Sequence, residues 1–137
     1  MVMQSLLEQT ADAVLKRVDT ARLVGKTVLL TGATGLIGVN LAAALRLAGA
    51  VVKLPHRDER CAGKYDFIIH AAGYAQPAKF MADPMATIRV NTTMLADLLA
   101  LLRPEGRLLF LSTSEVYSGN LRGLHREEDI GATNPAH

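Results

Sequence analysis

The sequence contains little cysteine, little net charge and no long hydrophobic run. Its single cysteine, Cys61, excludes an internal disulfide and fits a reducing compartment, so we expect a cytoplasmic protein. The net charge of +2 is too small and too dispersed for a surface that binds nucleic acid. The longest apolar stretch, residues 35–52, is interrupted by Asn40 and Arg46, and the N-terminus lacks the pattern of a signal peptide. We therefore expect no membrane span.

What the sequence does contain is the material for one packed domain. Hydrophobic residues make up 50% of the chain and charged residues 20%, which suits a globular core. Continuous apolar runs predict buried strands, and segments with helical periodicity predict helices. The predicted strands are residues 26–32, 51–54, 65–73 and 107–112, and the predicted helices are residues 3–19, 36–49 and 82–102.

Buried strands separated by helices indicate a parallel sheet with helices on both faces. We therefore predict an α/β fold, in which the amphipathic helix at residues 3–19 covers either the sheet or a partner subunit. Asp83 is positioned to cap the helix at residues 82–102, with Pro84 as its first helical residue. Ligands of such sheets bind at the carboxyl ends of the strands. The informative segments are therefore TGATG, PHRD, HAAGYAQ and STSEVY.

The segment TGATGLIG places three glycines between the first predicted strand and the helix that follows it. Gly32 permits a tight turn, Gly35 leaves room for a diphosphate at the backbone, and Gly38 lets the helix pack against the sheet. The helix N-terminus adds free N–H groups and a partial positive charge. This context predicts a dinucleotide-binding site. The alternative is a glycine-rich turn that binds no ligand.

The carboxylate that would bind the adenosine ribose is missing from its expected position. The residue 18 positions beyond Gly38 is His56, and Asp58 comes two residues later. Arg57 lies near this position and would accommodate a 2′-phosphate, which favours NADP. The alternative is a solvated loop without a role at the ligand, so the sequence leaves both NAD and NADP open.

Four motifs together resemble the extended short-chain dehydrogenase/reductase family, in its branch of NAD-dependent nucleotide-sugar epimerases, dehydratases and decarboxylases. They are TGATGLIG at 31–38, YDFIIHAAG at 65–73, DPMATIRVN at 83–91 and LSTSEVYSG at 111–119, and the resemblance covers about residues 26–120. It implies an NAD(P)-binding, Rossmann-like domain over residues 25–137, preceded by a helical extension over residues 1–24. It also implies NAD as the cofactor, with NADP possible.

The resemblance assigns residues to the cofactor. The backbone of Leu36 and Ile37 would cover the pyrophosphate, and Ala71, Ala72 and Gly73 would line the cofactor after the third strand. The full expected set is Gly32, Thr34, Gly35, Leu36, Ile37, Gly38, His56, Arg57, Ala71, Ala72, Gly73 and Ser112.

The resemblance places the catalytic residues after the last predicted strand. Thr113 would bond the oxygen at C4 of the sugar during its transient oxidation, while Ser114 and Glu115 would act on neighbouring sugar carbons. His70 is expected to be a packed, hydrogen-bonded histidine, and without clustered partners no metal site is expected. Asn91 is expected on the inner face of its helix as structural support.

Two parts of the family pattern are missing. The family's proton acceptor is a tyrosine, with an ordinary pKa of about 10, that needs the lysine of a YxxxK motif beside it. No YxxxK occurs in the sequence, and the window in which the family carries it lies beyond His137. Ten residues, 55–64, also stand where the family has a helix and a strand, so we expect a shallow adenine side.

The favoured prediction is the N-terminal part of an enzyme on nucleotide sugars, inactive alone and without its C-terminal substrate lobe. A natural short protein that retains only the cofactor-binding half would have the same sequence. The alternative function is a non-catalytic dinucleotide- or partner-binding module, and a weaker one is an NADP-dependent carbonyl reductase. A sheet shortened in this way exposes an apolar edge or face, which predicts homodimers or other self-association.

Overall fold

The computed structural model describes residues 2–57, 59–74, 76–120, 123–129 and 131, and their side chains from residue 6 onward. Its helices are α1 (Val2–Leu15), α2 (Leu36–Leu47), α3 (Pro77–Ala82), α4 (Pro84–Asn91) and α5 (Thr93–Leu99). Its strands are β1 (Thr27–Thr31), β2 (Val51–Lys53), β3 (Tyr65–His70) and β4 (Leu102–Phe110), and short 3-10 turns lie at Ala21–Leu23 and Ser114–Tyr117. All four predicted strands are present, although β4 begins earlier than predicted.

The four strands form one parallel sheet in the order β2-β1-β3-β4. β1 is central, because Val28 lies opposite both Val52 of β2 and Phe67 of β3. The chain leaves β1 toward one side to build β2 and then returns to the other side for β3. Such a reversal opens a crevice at the carboxyl ends of the strands, where ligands of α/β sheets bind. The predicted Rossmann-like parallel sheet is confirmed.

Helices cover both faces of this sheet. Val28 and Leu30 pack toward α2, whereas Leu29, between them in β1, packs with Leu98 of α5. All three β1 residues are completely buried, because successive side chains of a central strand point to opposite covered faces. The core therefore lies along β1, directly below its carboxyl end.

The N-terminal helix packs on α2. Ala11 is buried, and with Thr10 and Val14 it faces Leu36 and Ile37 across a shallow groove between the two helices. The helix predicted at residues 3–19 therefore covers a neighbouring helix rather than the sheet. Along the part of the chain that the structure describes, no helix has the length and apolar character needed to cross a membrane.

The single helix predicted over residues 82–102 is wrong, since α3, α4 and α5 occupy residues 77–99. The first break is at Asp83, which caps α4 by accepting a hydrogen bond from the Ala86 N–H at 2.9 Å. Pro84 is the first residue of α4, so the predicted cap and first residue are confirmed. A proline cannot continue α3, because its ring removes the N–H and clashes with the preceding turn.

The second break is at Thr92, whose φ of −124° and ψ of −74° are not helical. The Thr92 hydroxyl donates to the carbonyl of Ile88 at 2.7 Å, and the Asn91 side chain donates to the carbonyl of Thr87 at 2.8 Å. Such bonds compete with the helical ladder and bend helices. Asn91 is exposed, so its predicted place on the inner helix face is also wrong.

The pairing of β4 with β3 is interrupted once. Leu102 lies opposite Tyr65, but Arg107 already lies opposite Phe67, so residues 103–106 bulge out of the ladder. Glu105 has a φ of +63° there, and Gly106 approaches the Arg103 backbone closely. Pro104 and Gly106 therefore lie in a bulge inside β4 rather than in a loop before it.

Candidate functional site

The candidate site lies where β1, β3 and β4 end side by side. The backbone hydrogen-bond ladder continues past the strands. The Ala71 N–H donates to the Thr31 carbonyl at 3.3 Å, and the Leu111 N–H donates to the His70 carbonyl at 3.1 Å. These bonds bring the glycine loop after β1, the segment 71–73 after β3 and the segment 111–113 after β4 to one edge of the sheet.

Two of the three loop glycines are required by the packing of the chain itself. Gly32 has a φ of +70°, and a Cβ there would lie 2.6 Å from the Ala72 nitrogen. A Cβ on Gly38 would overlap the Gly32 carbonyl oxygen and lie 2.8 Å from the Ala33 Cα. Gly32 thus allows β1 and β3 to end in contact, and Gly38 allows α2 to start against the loop.

Gly35 differs from these two glycines. It caps α2 with a φ of −78°, which any residue adopts, and a Cβ there would meet only the Gly32 carbonyl oxygen, at 3.4 Å. Neither the backbone nor the packing therefore demands glycine. Thr34, Leu36 and Ile37 around it are exposed, and the N–H groups of the first helical turn have no acceptor within the helix. An open helix mouth of this kind fits the diphosphate of a dinucleotide.

His70 fixes the floor of the site. It is completely buried, with Nδ1 2.6 Å from the Thr31 hydroxyl and Nε2 2.8 Å from the Val90 carbonyl oxygen. A carbonyl oxygen only accepts, so Nε2 carries the proton and Nδ1 accepts from Thr31. The imidazole also stacks on Phe110 with ring centroids 5.6 Å apart. The expectation of a packed, hydrogen-bonded histidine is confirmed.

The segment after β4 presents its polar side chains to solvent. Ser112, Thr113, Ser114 and Glu115 are all exposed. Thr113 caps the 3-10 turn, because its hydroxyl oxygen accepts from the Glu115 N–H at 3.3 Å. That bond uses a lone pair and leaves the hydroxyl proton available to another acceptor. The four residues thus lie at the same sheet edge as the glycine loop.

The loop after β2 contains a residue that sequence reasoning missed, Glu59. Its carboxylate bonds the Lys53 ammonium at 2.6 Å and accepts from the His56 N–H at 3.1 Å. The Glu59 N–H in turn donates to the His56 carbonyl at 3.1 Å, which closes a turn. The hydrogen bond from Lys53, followed by that from His56, lowers the pKa of Glu59. Asp58, considered for the ribose, lies outside the described residues.

Arg57 meets a second residue that sequence reasoning missed, Tyr74. The Arg57 guanidinium carbon lies 5.6 Å from the centroid of the Tyr74 ring. Arg57 follows β2 and Tyr74 follows β3, so the contact joins the loops on either side of β1. A contact between loops 17 residues apart has no local sequence signal (74 − 57 = 17). In the described part of the chain, no group of three or more metal-binding side chains occurs.

Residues 59–137, more than half of the chain, match the model of the NAD dependent epimerase/dehydratase family. The chain belongs to this family. The predicted resemblance is therefore confirmed at the level of the family.

Two relatives of this family member are UDP-glucuronic acid decarboxylase 1 of Xenopus tropicalis and of Danio rerio. Each is 29% identical over 136 positions, which cover 80% of this chain and 32% of the relative. The chain thus spans about a third of their length. Since 80% of 137 residues is about 110, the 136 positions include residues of the relatives without counterparts here.

Two solved structures share the fold. An epimerase of Methanothermobacter thermautotrophicus has a TM-score of 0.67 and 22% identity, over 83% of this chain and 43% of its own. RMD of Pseudomonas aeruginosa, solved in complex with NADPH, has a TM-score of 0.59 and 24% identity, over 80% of this chain and 42% of its own. At these identities the likeness concerns the fold alone.

Proposed function

We propose that this chain is the cofactor-binding part of an NAD-dependent epimerase, dehydratase or decarboxylase that acts on a nucleotide sugar. The observation that carries the proposal is Gly35, a glycine at the mouth of α2 that the packing of the chain does not require. A diphosphate approaching the backbone supplies the missing reason for glycine there. Similarity to UDP-glucuronic acid decarboxylase 1 supports a nucleotide sugar as the substrate class.

The residues of the site divide the work in this proposal. The N–H groups of Leu36 and Ile37 hold the diphosphate, and a bound nicotinamide dinucleotide supplies hydride transfer. Thr113 donates its hydroxyl proton to an oxygen of the sugar, since its bond from the Glu115 N–H leaves that proton available. Ser114 and Glu115, exposed beside it, face the neighbouring sugar carbons.

Gly35→Ala tests the cofactor site. Titration of the chain with NAD and with NADP by calorimetry should show binding, and Gly35→Ala should weaken it by about tenfold or more, which is about 1.4 kcal/mol. Gly123→Ala is the matched control, because Gly123 is exposed and a Cβ there meets nothing within 4 Å. Failure of the unaltered chain to bind either dinucleotide would overturn the proposal.

NADP is the second candidate cofactor. The Glu59 carboxylate is engaged by Lys53 and by the turn at His56, while Arg57 extends from the same turn. An arginine at the end of the second strand accommodates a 2′-phosphate, and a free carboxylate there would instead bind the ribose. Tighter binding of NADP than of NAD in the same titrations would favour this candidate.

A non-catalytic dinucleotide-binding module is the second candidate function, because binding of a dinucleotide alone would explain the glycine loop and the open mouth of α2. Thr113→Val distinguishes the two in a protein that joins this chain to a YxxxK segment. For the enzyme, we expect turnover of UDP-glucuronic acid to fall by about a hundredfold or more, since a hydrogen bond to the reacting oxygen is lost. Cofactor affinity should change little, and unchanged turnover would favour the module.

A further inference from the structure

The contact between Arg57 and Tyr74 has no role in the function proposed so far. Both residues lie in loops at the carboxyl edge of the sheet, on either side of β1 and its glycine loop. In the described part of residues 54–64, which join β2 to β3, there is neither helix nor strand. The side chains of the two loops therefore line the crevice on this side.

Arg57 lies in a turn that is held in place by contacts of the Glu59 carboxylate. The Glu59 carboxylate ties this turn to Lys53, the last residue of β2, at 2.6 Å and to the His56 N–H at 3.1 Å. Lys53 and Glu59 satisfy each other, and among the described residues no ion pair involves Arg57. The guanidinium thus extends from this turn and lies against the ring of Tyr74.

Tyr74 lies in the loop that follows β3. His70, four residues earlier, is held by Thr31 and by the carbonyl of Val90. Tyr74 is half-buried and Arg57 is exposed, so part of the aromatic residue and the planar cation are both open to a ligand. Planar groups of both kinds stack nucleobases.

We infer that the Arg57–Tyr74 pair is the stacking surface for the adenine base of the dinucleotide. The inference rests on the proposed function. In a βαβ dinucleotide site the adenosine ribose meets the end of the second strand, which here is the base of the Arg57 turn. The base beyond that ribose then reaches the space between the loops after β2 and β3, which the pair lines. These two side chains enclose the adenine on the side where the short connection between β2 and β3 provides no helix or strand.

Calorimetry with ADP-ribose and with inorganic pyrophosphate tests this inference, because only the first contains adenine. Tyr74→Ala should weaken ADP-ribose binding by about five- to a hundredfold, the usual effect of losing one base–aromatic stack, and leave pyrophosphate binding unchanged. Tyr74→Phe, which keeps the ring, should bind ADP-ribose like the unaltered chain. Arg57→Ala should weaken NAD and ADP-ribose together, and circular dichroism checks that each variant is folded.

Tyrosine fluorescence provides a second readout. The chain has three tyrosines and no tryptophan, so a base that stacks on Tyr74 should quench a measurable part of the emission. In Tyr74→Phe this quenching should disappear although binding persists. Tyr65→Phe is the matched control and should retain the quenching, since Tyr65 lies at the opposite end of β3.

The possible results separate the inference from the function beneath it. If the unaltered chain binds neither ADP-ribose nor pyrophosphate, the dinucleotide site itself is wrong. If it binds both, and Tyr74→Ala or Arg57→Ala binds ADP-ribose with unchanged affinity, the stacking surface is wrong while the site stands. If Arg57→Ala weakens NADP alone, Arg57 contacts a 2′-phosphate instead, which also overturns the inference. Should Tyr74→Ala fail to fold, Arg57→Ala and the fluorescence of Tyr74→Phe decide.

Discussion

Among single residues, the loop glycines show how one motif combines two physical demands. Gly32 and Gly38 are needed because backbone atoms of Ala72 and Ala33 leave no room for a Cβ. Gly35 has that room, and its backbone angles suit any residue. Packing therefore explains Gly32 and Gly38, whereas a bound ligand is needed to explain Gly35.

We expect Gly38→Ala to act mainly on stability and Gly35→Ala mainly on cofactor binding. Gly38→Ala should lower the free energy of unfolding by about 2 kcal/mol or more, because the Cβ forces α2 away from the loop. Gly35→Ala should change it by less than about 1 kcal/mol, since a small loss at the helix cap is offset by a stiffer unfolded chain. Urea unfolding measures both, and equal losses would contradict this division.

The sequence could predict the glycine loop because its spacing is local, and it could predict His70 as a packed residue because it ends an apolar strand. It could not predict the partners of His70, Thr31 and Val90, which lie on two other elements. Arg57 was singled out only for its position. Its contact with Tyr74 depends on the strand order and on how two loops end, which no periodicity encodes.

At the scale of elements, the strands were predicted better than the helix between β3 and β4. A continuous apolar run predicts a strand reliably, because a parallel strand covered on both faces of its sheet buries all of its side chains. The helix at residues 82–102 had a continuous apolar pattern, but Asn91 and Thr92 bond their own preceding turns and break it. The run Asn91-Thr92-Thr93 was the signal for that break, because such side chains compete with the backbone for hydrogen bonds.

Asp66 couples the starts of β1 and β3 in a way that depends on pH. Its carboxylate accepts from the Thr27 N–H at 2.8 Å and from the Thr27 hydroxyl at 2.7 Å. The backbone bond first, and then the hydroxyl bond, lowers the pKa of Asp66 below its ordinary value of 3.8. A carboxyl with a lowered pKa stabilises the fold above its unfolded pKa and loses that contribution as the pH falls through the folded value.

We therefore expect Asp66→Asn to be less stable than the unaltered chain at neutral pH, because a charged acceptor of two hydrogen bonds is lost. The difference should shrink as the pH falls below 3.8, where Asp66 itself becomes protonated. Thermal unfolding across this range measures it. Asp97→Asn is the control, because Asp97 is exposed on α5. A difference that stays constant with pH would contradict the role of the charge.

For the whole molecule, the question is what covers the part of the sheet beyond α2. Over β3 and β4 the described chain leaves an apolar cavity of about 360 Å³, lined by Leu23, Val28, Leu45, Phe67, Ile68, Ile69, Arg107, Leu108 and Leu109. Leu109 is an apolar residue of β4, yet it is 53% exposed. β4 is also the last strand in the order of the described sheet. An apolar face next to an open strand edge favours association with another chain.

We expect the 137-residue chain to self-associate through this face, and Leu109→Lys to reduce the association. A lysine there places a charge on the apolar surface, and burying it against a second copy would cost more than the contact returns. Leu124→Lys is the matched control, because Leu124 is 89% exposed but lies outside the sheet. Light scattering over a concentration series measures both variants. A monodisperse monomer for the unaltered chain would refute the expectation. Equal association of the two variants would show that the contact does not involve β4.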